Sequence, residues 1–178
     1  MVGQQVRVLT IRPEQPADHQ QVFHVNQLAF GQPNEAKLVE ALRRSPVFIP
    51  ELSLVAVEEH IVVGHILFSR IAVRSGSTAS EALALAPMAV LPARQRGGIG
   101  SSLVRRGLAD ARDLGHGVVI VVGHPEYYPR FGFVAGEPLG IRPPFEVSPG
   151  AFMVLELRPG ALAGVRGEVE YPPEFGEL

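Results

Sequence analysis

Gln95-Arg96-Gly97-Gly98-Ile99-Gly100 lies between an apolar run that ends near Leu91 and a helix-like run that begins at Ser101. Glycines at a strand-to-helix turn allow the backbone to approach a ligand closely. The first turn of the following helix directs unpaired N–H groups and the positive end of the helix dipole to the same point. The segment therefore predicts a site for a phosphate or a diphosphate.

The segments on either side of this turn predict a βαβ unit. Ala82 to Leu91 is almost wholly apolar, as expected for a strand that is covered on both faces. After the turn, apolar residues recur at helical spacing as far as Leu114, and Val118 to Val122 is a β-branched strand. Pro87 cannot donate to a β-ladder, so it marks a bulge or an edge where pairing stops. We expect two parallel strands joined by the helix.

The remaining segments predict antiparallel strands and short helices around this unit, in a mixed α/β (α+β) fold. The 178 residues predict a single domain with a core over about 7–160 and a C-terminal tail, 161–178, that packs on the body. A short helix is expected to begin at Pro125. The other predicted elements are strands at 5–11, 52–57, 61–73, 133–134 and 151–157, helices at 18–30 and 35–44, and a proline-rich loop at 138–149.

The composition of the chain argues against several classes of function. A formal net charge of −2 gives no basic field, so we expect no nucleic-acid ligand. No apolar stretch approaches the length of a bilayer span, and no signal peptide is evident, so we expect no membrane partner and a cytoplasmic location. The chain contains no cysteine, which excludes a cysteine nucleophile and thiolate metal ligands, and we expect no metal cofactor.

Three ligand classes compete for the glycine turn. A dinucleotide fold requires Gly-x-Gly-x-x-Gly near its first strand, whereas this turn follows the fourth strand and has no third glycine in register. A P-loop requires Gly-Lys-Ser/Thr, and the turn contains no lysine. Gln95-x-x-Gly98-x-Gly100 after an apolar strand resembles the motif that binds the diphosphate of acyl-coenzyme A in the GNAT superfamily of N-acetyltransferases.

Other segments carry the same resemblance, which runs from about residue 7 to the C-terminus. Tyr127-Tyr128-Pro129-Arg130-Phe131-Gly132-Phe133 resembles the superfamily's aromatic-Tyr-x-x-x-Gly-Phe segment and directly follows the next strand, as in that family. Ile11-Arg12-Pro13-Glu14, with Asp18, resembles the usual start of these domains. The segments that resemble the YhbS-like bacterial subgroup are Ala29-Phe30-Gly31, Glu35-Ala36 with Leu38-Val39, Gly64-His65-Ile66, Tyr127 to Phe133 and Phe152 to Leu157.

The resemblance implies a strongly bent mixed sheet whose fourth and fifth strands splay apart at the Pro87 bulge. It also implies acetyl-CoA as the co-substrate, with the backbone N–H of Met88 donating to the thioester carbonyl. Arg94 and Arg96 either add charge near the phosphates or are ordinary solvated loop residues. The implied coenzyme-binding residues are Met88, Ala89, Val90, Gln95, Arg96, Gly97, Gly98, Ile99, Gly100, Ser101 and Tyr128.

The catalytic residues that the resemblance implies are incomplete. Tyr128 matches the position that protonates the departing thiolate, and a phenol is protonated at neutral pH; the alternative is a packed aromatic side chain. Many relatives place a glutamate or histidine base on strand four, but this chain has alanine and leucine at 82–86. The candidate bases are His65, His124, Glu35 and Glu126, each with an alternative structural or surface role. An ordered water chain, or an acceptor amine of low pKa, would need none of them.

The leading expectation is therefore an acetyl-CoA-dependent N-acetyltransferase in which a primary amine attacks the thioester directly in a ternary complex. A coenzyme A-binding regulatory module without catalysis is the first alternative, and a nucleotide-binding protein is the second. The acceptor stays open between small-molecule and peptide amines, because variable helices and loops set specificity on such a fold. A homodimer is expected only from the resemblance.

Overall fold

A computed structural model describes residues 6–177, which form a nine-stranded mixed sheet and three α-helices. Within these residues no helix is both long and apolar enough to cross a membrane. The helices are α1 (His19–Phe30), α2 (Asn34–Arg43) and α3 (Ile99–Asp113). The strands are β1 (Thr10–Pro13), β2 (Phe48–Glu58), β3 (Ile61–Ser75), β4 (Thr78–Val90), β5 (Val118–Val122), β6 (Val134–Ala135), β7 (Ile141–Arg142), β8 (Phe152–Glu156) and β9 (Gly167–Glu170).

The sheet is built around the long strand β3. Its strands follow the order β1-β2-β3-β4-β5-β8-β6, and β9 pairs with both β3 and β7. The β4–β5 and β7–β9 pairs are parallel, and the others are antiparallel. The predicted βαβ unit is present as β4, α3 and β5, and the predicted mixed α/β fold class is confirmed.

The helices cover opposite faces of the sheet. Ile66 and Phe68 of β3 pack on the side of α3, where Leu103 is fully buried. Leu67, which lies between them, faces α1 and α2 on the other side and contacts the cluster that contains Val25. Because successive side chains of a strand point to opposite faces, β3 contributes to both cores.

The C-terminal tail contains a strand that the sequence does not predict. Residues 167–170 form β9, which pairs with β3 through Ala72↔Glu170 and Arg74↔Glu168. β2 pairs with β3 only as far as Ser69, so the rest of that β3 edge has backbone groups without partners in β2. β9 supplies those partners, and it also recruits β7 from the predicted proline-rich loop.

The first strand and the helix predicted at Pro125 differ from the structure. The first strand begins at Thr10, where pairing with Val57 of β2 starts; the predicted start at residue 5 lies outside the described residues. Pro125 does not begin a helix, because the carbonyl of His124 accepts the N–H of Tyr127 in a turn. A 3-10 helix then starts at Tyr128.

A bulge interrupts the pairing of β3 with β4 at the predicted proline. Met88 lies opposite Ile66 and Leu85 lies opposite Phe68, so two residues of β4, Ala86 and Pro87, face a single residue of β3. An extra residue on one strand bends that strand and increases its twist. The interruption predicted at Pro87 is therefore confirmed.

β4 and β5 separate shortly before this bulge. Their parallel ladder consists of Leu83↔Val119 and Ala84↔Ile120. β4 continues to Val90, while β5 continues to Val122 in antiparallel pairing with β8. The two strands therefore diverge beyond Ala84, which confirms the expected splay and leaves a gap between them.

Close packing of α3 on β3 depends on a glycine in the middle of the helix. A Cβ atom built on Gly107 would overlap the ring of Phe68, which is fully buried. Phe68 cannot move without displacing the surrounding core, because protein interiors are packed as densely as organic crystals. Gly107 thus fixes how closely the helix after the glycine turn approaches the sheet.

Substitution of Gly107 by alanine is expected to destabilise the protein. Alanine gains about 1 kcal/mol of helix propensity, but overpacking against a rigid core costs about 1–3 kcal/mol, and the severe overlap makes the second effect larger. Urea denaturation should show a lower free energy of unfolding for Gly107→Ala. The control is Gly97→Ala, whose Cβ would lie 3.6 Å from the nearest atom. Equal stabilities of the two variants would contradict this packing argument.

Candidate active site

The gap between β4 and β5 exposes main-chain groups of β4. The N–H of Leu91 donates to the carbonyl of Val63 at 2.9 Å, so Leu91 bonds across to β3. Because such bonding alternates along an antiparallel pair, the N–H groups of Met88 and Val90 point away from β3 and towards the gap. The side-chain amide of Gln95 bonds the carbonyl of Val90 at 3.1 Å from that side.

The glycine turn presents a continuous row of free donors. No main-chain N–H from Arg96 to Ser101 bonds to another described residue, and the first helical bond joins the N–H of Ser102 to the carbonyl of Gly98 at 3.0 Å. Arg96 and Gly98 have positive φ values of 64° and 87°. Left-handed residues in a turn orient neighbouring N–H groups towards one concave side, which favours an anion.

The two arginines of the turn differ in their surroundings. Arg94 forms an ion pair with the buried carboxylate of Glu58, which raises the pKa of the guanidinium. Its charge is therefore already matched within the protein. Arg96 is exposed, and its side chain has no hydrogen-bond or ion-pair partner among residues 6–177. Of the two, Arg96 is the arginine that can turn to an added anion.

The first turn of α3 contacts both β3 and β4. A Cβ on Gly64 would lie 3.1 Å from Ile99 and 3.0 Å from Leu103, so a glycine at this position lets the helix approach β3. The sulfur of Met88 would lie 3.2 Å from a Cβ on Gly100. The glycine turn and the gap are thus parts of one continuous surface.

The aromatic segment after β5 closes this surface. The Tyr127 hydroxyl lies 3.0 Å from Oγ of Ser101 in the first turn of α3. Tyr128, which is 7% exposed, packs edge-on against Tyr127 and Phe133 at centroid distances of 5.1 and 5.6 Å. Burial, and to a lesser degree Tyr127, raises the pKa of Tyr128. Its phenol is therefore protonated throughout the neutral range.

Sequence reasoning missed Gly123, on which the position of Tyr128 depends. A Cβ at Gly123 would overlap the Tyr128 ring, so a larger residue there would displace the tyrosine. The N–H of Gly123 also bonds the carbonyl of Ala151 at 2.9 Å, which fixes the end of β5. The sequence signal was a lone glycine directly after a β-branched strand, which often marks a close approach.

His65, a candidate base, lies in a buried hydrogen-bonding network. Its ring has no exposed surface; Nε2 lies 2.9 Å from Oγ of Ser53, and Nδ1 lies 3.3 Å from Nδ2 of Asn26. Burial lowers the pKa of His65 to about 4, although the nearby carboxylate of Glu14 favours the protonated form. His65 is therefore a neutral group inside the protein at neutral pH.

Glu14 completes this network with a two-point ion pair. Its side chain, 4% exposed, accepts bonds of 2.8 and 3.0 Å from Arg43, and its Oε2 lies 3.9 Å from Nε2 of His65. Burial alone would raise the pKa of Glu14, but the Arg43 hydrogen bonds and the neighbouring charges lower it overall. The pair joins the segment after β1 to the end of α2.

The other candidate bases lie at separate places. Glu35 is half-buried in the first turn of α2 and accepts hydrogen bonds from Gln32. His124 and Glu126 are exposed beside the turn that precedes Tyr128. None of these residues, nor His65, lines the cavity that lies beside the gap.

That cavity, of about 880 Å³, lies beside the gap. Its floor is formed by Ala84–Ala86 of β4 with Ile120 and Val122 of β5. β9 and the residues that follow it form a second wall, which includes Tyr171. The glycine turn, the N–H of Met88 and the cavity thus adjoin the gap, the aromatic segment contacts the turn, and none of the candidate bases lines the cavity.

Comparisons with known proteins match this architecture. Residues 10–136 match the family model described as an acetyltransferase (GNAT) domain. The chain is 40% identical over 117 residues to the uncharacterized N-acetyltransferase YjhQ of Escherichia coli K12, covering 66% of this chain and 65% of YjhQ. It is 33% identical over 171 residues to the uncharacterized N-acetyltransferase YhbS of E. coli, covering 96% of this chain and all of YhbS.

Solved structures give the same result. A crystal structure of E. coli YhbS in complex with CoA superposes with a TM-score of 0.90 at 30% identity, covering 100% of this chain and 97% of that chain. A GNAT acetyltransferase from Brucella melitensis in complex with acetyl-CoA superposes with a TM-score of 0.77 at 34% identity, covering 94% and 98%. The chain belongs to the GNAT acetyltransferase family. The predicted family and its acyltransferase class are confirmed.

The His65 network predicts a specific pH dependence of stability. Unfolded His65 binds a proton near its ordinary pKa of 6.5, whereas folded His65 does so only near 4, so the unfolded state binds more protons between these values. Stability should therefore fall as the pH drops from 6.5 towards 4, by at most about 1.4 kcal/mol per pH unit. Urea unfolding between pH 6.5 and 5 measures this slope above the ordinary pKa of Glu14, which is 4.5.

Two variants and an NMR measurement test whether His65 causes this pH dependence of stability. His65→Gln should flatten the slope, whereas substitution of the exposed His24 by glutamine should leave it unchanged. In the folded wild-type protein, the NMR shifts of the His65 ring should show no protonation above pH 5. A ring that titrates near 6.5 would show that the network does not hold it neutral.

Proposed function

We propose that the protein transfers the acetyl group of acetyl-CoA to a primary amine by direct attack in a ternary complex. The observation that carries this proposal is the gap between β4 and β5, with the N–H of Met88 facing it. The free N–H groups of residues 96–101 extend the same surface. A diphosphate, two amides and a thioester are the groups that such a row of donors can bind. The coenzyme complexes of YhbS and the Brucella acetyltransferase support the same assignment.

The donor is bound mainly by backbone groups in this proposal. The N–H groups of the glycine turn hold the diphosphate at the positive end of α3. The pantetheine arm runs along β4 and replaces the strand pairing that β5 does not provide beyond Ala84. The residues assigned to coenzyme binding are Met88, Ala89, Val90, Gln95, Arg96, Gly97, Gly98, Ile99, Gly100, Ser101 and Tyr128.

Met88 and Tyr128 have different catalytic roles in this proposal: one stabilises the developing negative charge and the other donates a proton. When the amine attacks, negative charge grows on the carbonyl oxygen, and the fixed N–H of Met88 stabilises it. The carbon–sulfur bond then breaks, and its electron pair goes to the departing sulfur. Tyr128 donates its proton to that sulfur, and its raised pKa ensures that the proton is present.

A catalytically inactive coenzyme A-binding module is the second candidate. It is favoured by one observation, which is that no histidine or glutamate lies at 82–86 before the bulge. Neither candidate assigns proton transfer to His65, because its ring has no exposed surface. The acceptor, a homodimeric state and the cytoplasmic location stay predictions.

Calorimetry and kinetics test this function. Acetyl-CoA should bind, and ATP and NAD should bind far more weakly, because neither carries a pantetheine arm. Tyr128→Phe keeps the ring packed against Phe133 but removes the proton donor, so kcat should fall about 100-fold in a free-thiol release assay. The matched variant Tyr127→Phe should lower kcat no more than about fivefold. Binding of the nucleotides alone would refute the proposal, and acetyl-CoA binding without thiol release from any amine would favour the inactive module.

Gly98→Ala tests the diphosphate site separately. Its φ of 87° is strained for alanine, so the turn must rearrange and its N–H groups no longer converge on the anion. The affinity for coenzyme A should fall about tenfold, a loss of about 1.4 kcal/mol. Affinity for pantetheine, which has no diphosphate, should not change. An equal loss for both ligands would show that Gly98 acts through the fold rather than through the diphosphate.

A further inference from the structure

The cavity beside the gap is mostly apolar. Ala84–Ala86, Ile120 and Val122 form its floor, next to the strand segment that leads to Met88. Phe145 and Tyr171 stand at its wall, with ring centroids 5.6 Å apart and planes inclined by 28°. Its volume of about 880 Å³ lies in the range of small-molecule sites. A cavity of this kind favours a ligand with an apolar ring.

The charged side chains that line the cavity form ion pairs with one another. Arg74 bonds to Glu170, and Nε of Arg142 lies 3.6 Å from Oε2 of Glu168, so each lining carboxylate already has a cationic partner. Burial raises the pKa of Tyr171 to about 12, which keeps its hydroxyl neutral and unable to act as a base. Among the described residues that line the cavity, no other side chain titrates.

These two features decide what kind of amine the cavity accepts. An aliphatic ammonium would lose hydration against the apolar floor and would find no unpaired carboxylate among the described lining residues, which disfavours its binding. It would also need a base to remove a proton before attack, and the lining offers none. An amine that is already neutral at pH 7 avoids both costs.

Building on the proposed acetyl transfer, we propose that the acceptor is an aromatic amine that is uncharged at neutral pH. Its ring lies against Phe145 and Tyr171, where aromatic contacts add to the burial of apolar surface. Its amino group points along the floor towards the gap, where the thioester carbonyl meets the N–H of Met88. The cavity thus selects the acceptor because its described lining presents no unpaired charge.

The reaction balances without a protein base. The lone pair of the neutral nitrogen attacks the carbonyl carbon and forms the carbon–nitrogen bond, and the carbon–sulfur bond breaks with its electron pair on sulfur. The nitrogen, which is cationic after attack, gives one proton to water at the open side of the cavity. Sulfur takes a proton from Tyr128, which regains one from solvent. The products are an N-aryl acetamide and coenzyme A as the free thiol.

A matched pair of amines tests the acceptor class. Aniline and benzylamine carry the same ring, but only benzylamine is protonated at pH 7. In the thiol-release assay, aniline and its ring-substituted analogues should react with a kcat/KM at least about tenfold higher than that of benzylamine. Their kcat/KM should be constant from pH 6.5 to 8, whereas that of benzylamine should rise with pH. Faster reaction of benzylamine, or of a lysine-containing peptide, would overturn the proposal.

A variant with an added carboxylate tests whether the lack of an unpaired charge causes the preference for a neutral amine. Val122 lines the cavity and is 42% exposed, so a longer polar side chain fits there without disturbing the core. Val122→Glu should raise the benzylamine-to-aniline ratio of kcat/KM by about tenfold or more, because the carboxylate binds the ammonium and takes its proton. The control Val122→Gln, which has the same shape and no charge, should change that ratio less than about twofold. Equal ratios in the two variants would contradict the charge argument.

The outcomes separate this inference from the proposed function. If acetyl-CoA binds and thiol is released with aliphatic amines only, the acetyl transfer stands and the aromatic acceptor is wrong. If no amine in the panel releases thiol, the proposed transfer fails, and the acceptor class fails with it. Substitution of Phe145 by alanine provides a further check, because it should raise KM for aniline about tenfold and leave KM for acetyl-CoA unchanged.

Discussion

The rest of the site depends on the unfinished ladder between β4 and β5. Two residue pairs, Leu83↔Val119 and Ala84↔Ile120, hold the strands together, and beyond them no strand of residues 6–177 pairs with that side of β4. Backbone groups that a ligand covers must find hydrogen-bond partners, so a ligand that fills this gap needs amides or similar groups of its own. Pro87 in the bulge has no N–H and cannot extend the ladder. The sheet is therefore open at the place where the glycine turn presents its free donors.

The strands on either side of the gap must be held in place, and β3 is the strand on which the sheet is built. β2 and β9 cover successive parts of one edge of β3, while β4 lies along the other. On one face, Gly64 and Gly107 let α3 approach closely. On the opposite face, His65 of β3 bonds into the network that includes Glu14 and Arg43. Breaking a buried pair such as Glu14–Arg43 is costly because the remaining charge has no partner, so this pair resists movement of the segment after β1 against α2.

The sequence predicted the βαβ unit and the bulge at Pro87 well, because their signals are local. The glycine turn, Pro87 and the Tyr128 segment each act through the backbone or through residues within a few positions, so their spacing carries the information. β9 could not be predicted in this way, since it depends on the pairing of Glu170 with Ala72, far apart in the chain. The burial of His65 likewise depends on Ser53 and Asn26, which lie on other elements.

The contrast between local features and features built from distant segments also separates the two proposed substrates. In the proposed reaction, the donor meets mainly backbone N–H groups, which every residue except proline provides if it fits the local conformation. The cavity proposed for the acceptor is instead built from side chains of distant segments, among them Phe145 and Tyr171 with the Arg74–Glu170 pair. A single substitution there changes charge or shape without touching the donor turn. In the proposed reaction, recognition of acetyl-CoA therefore follows from the fold, whereas the choice of amine follows from the particular residues that β9 and the segment after it bring to the gap.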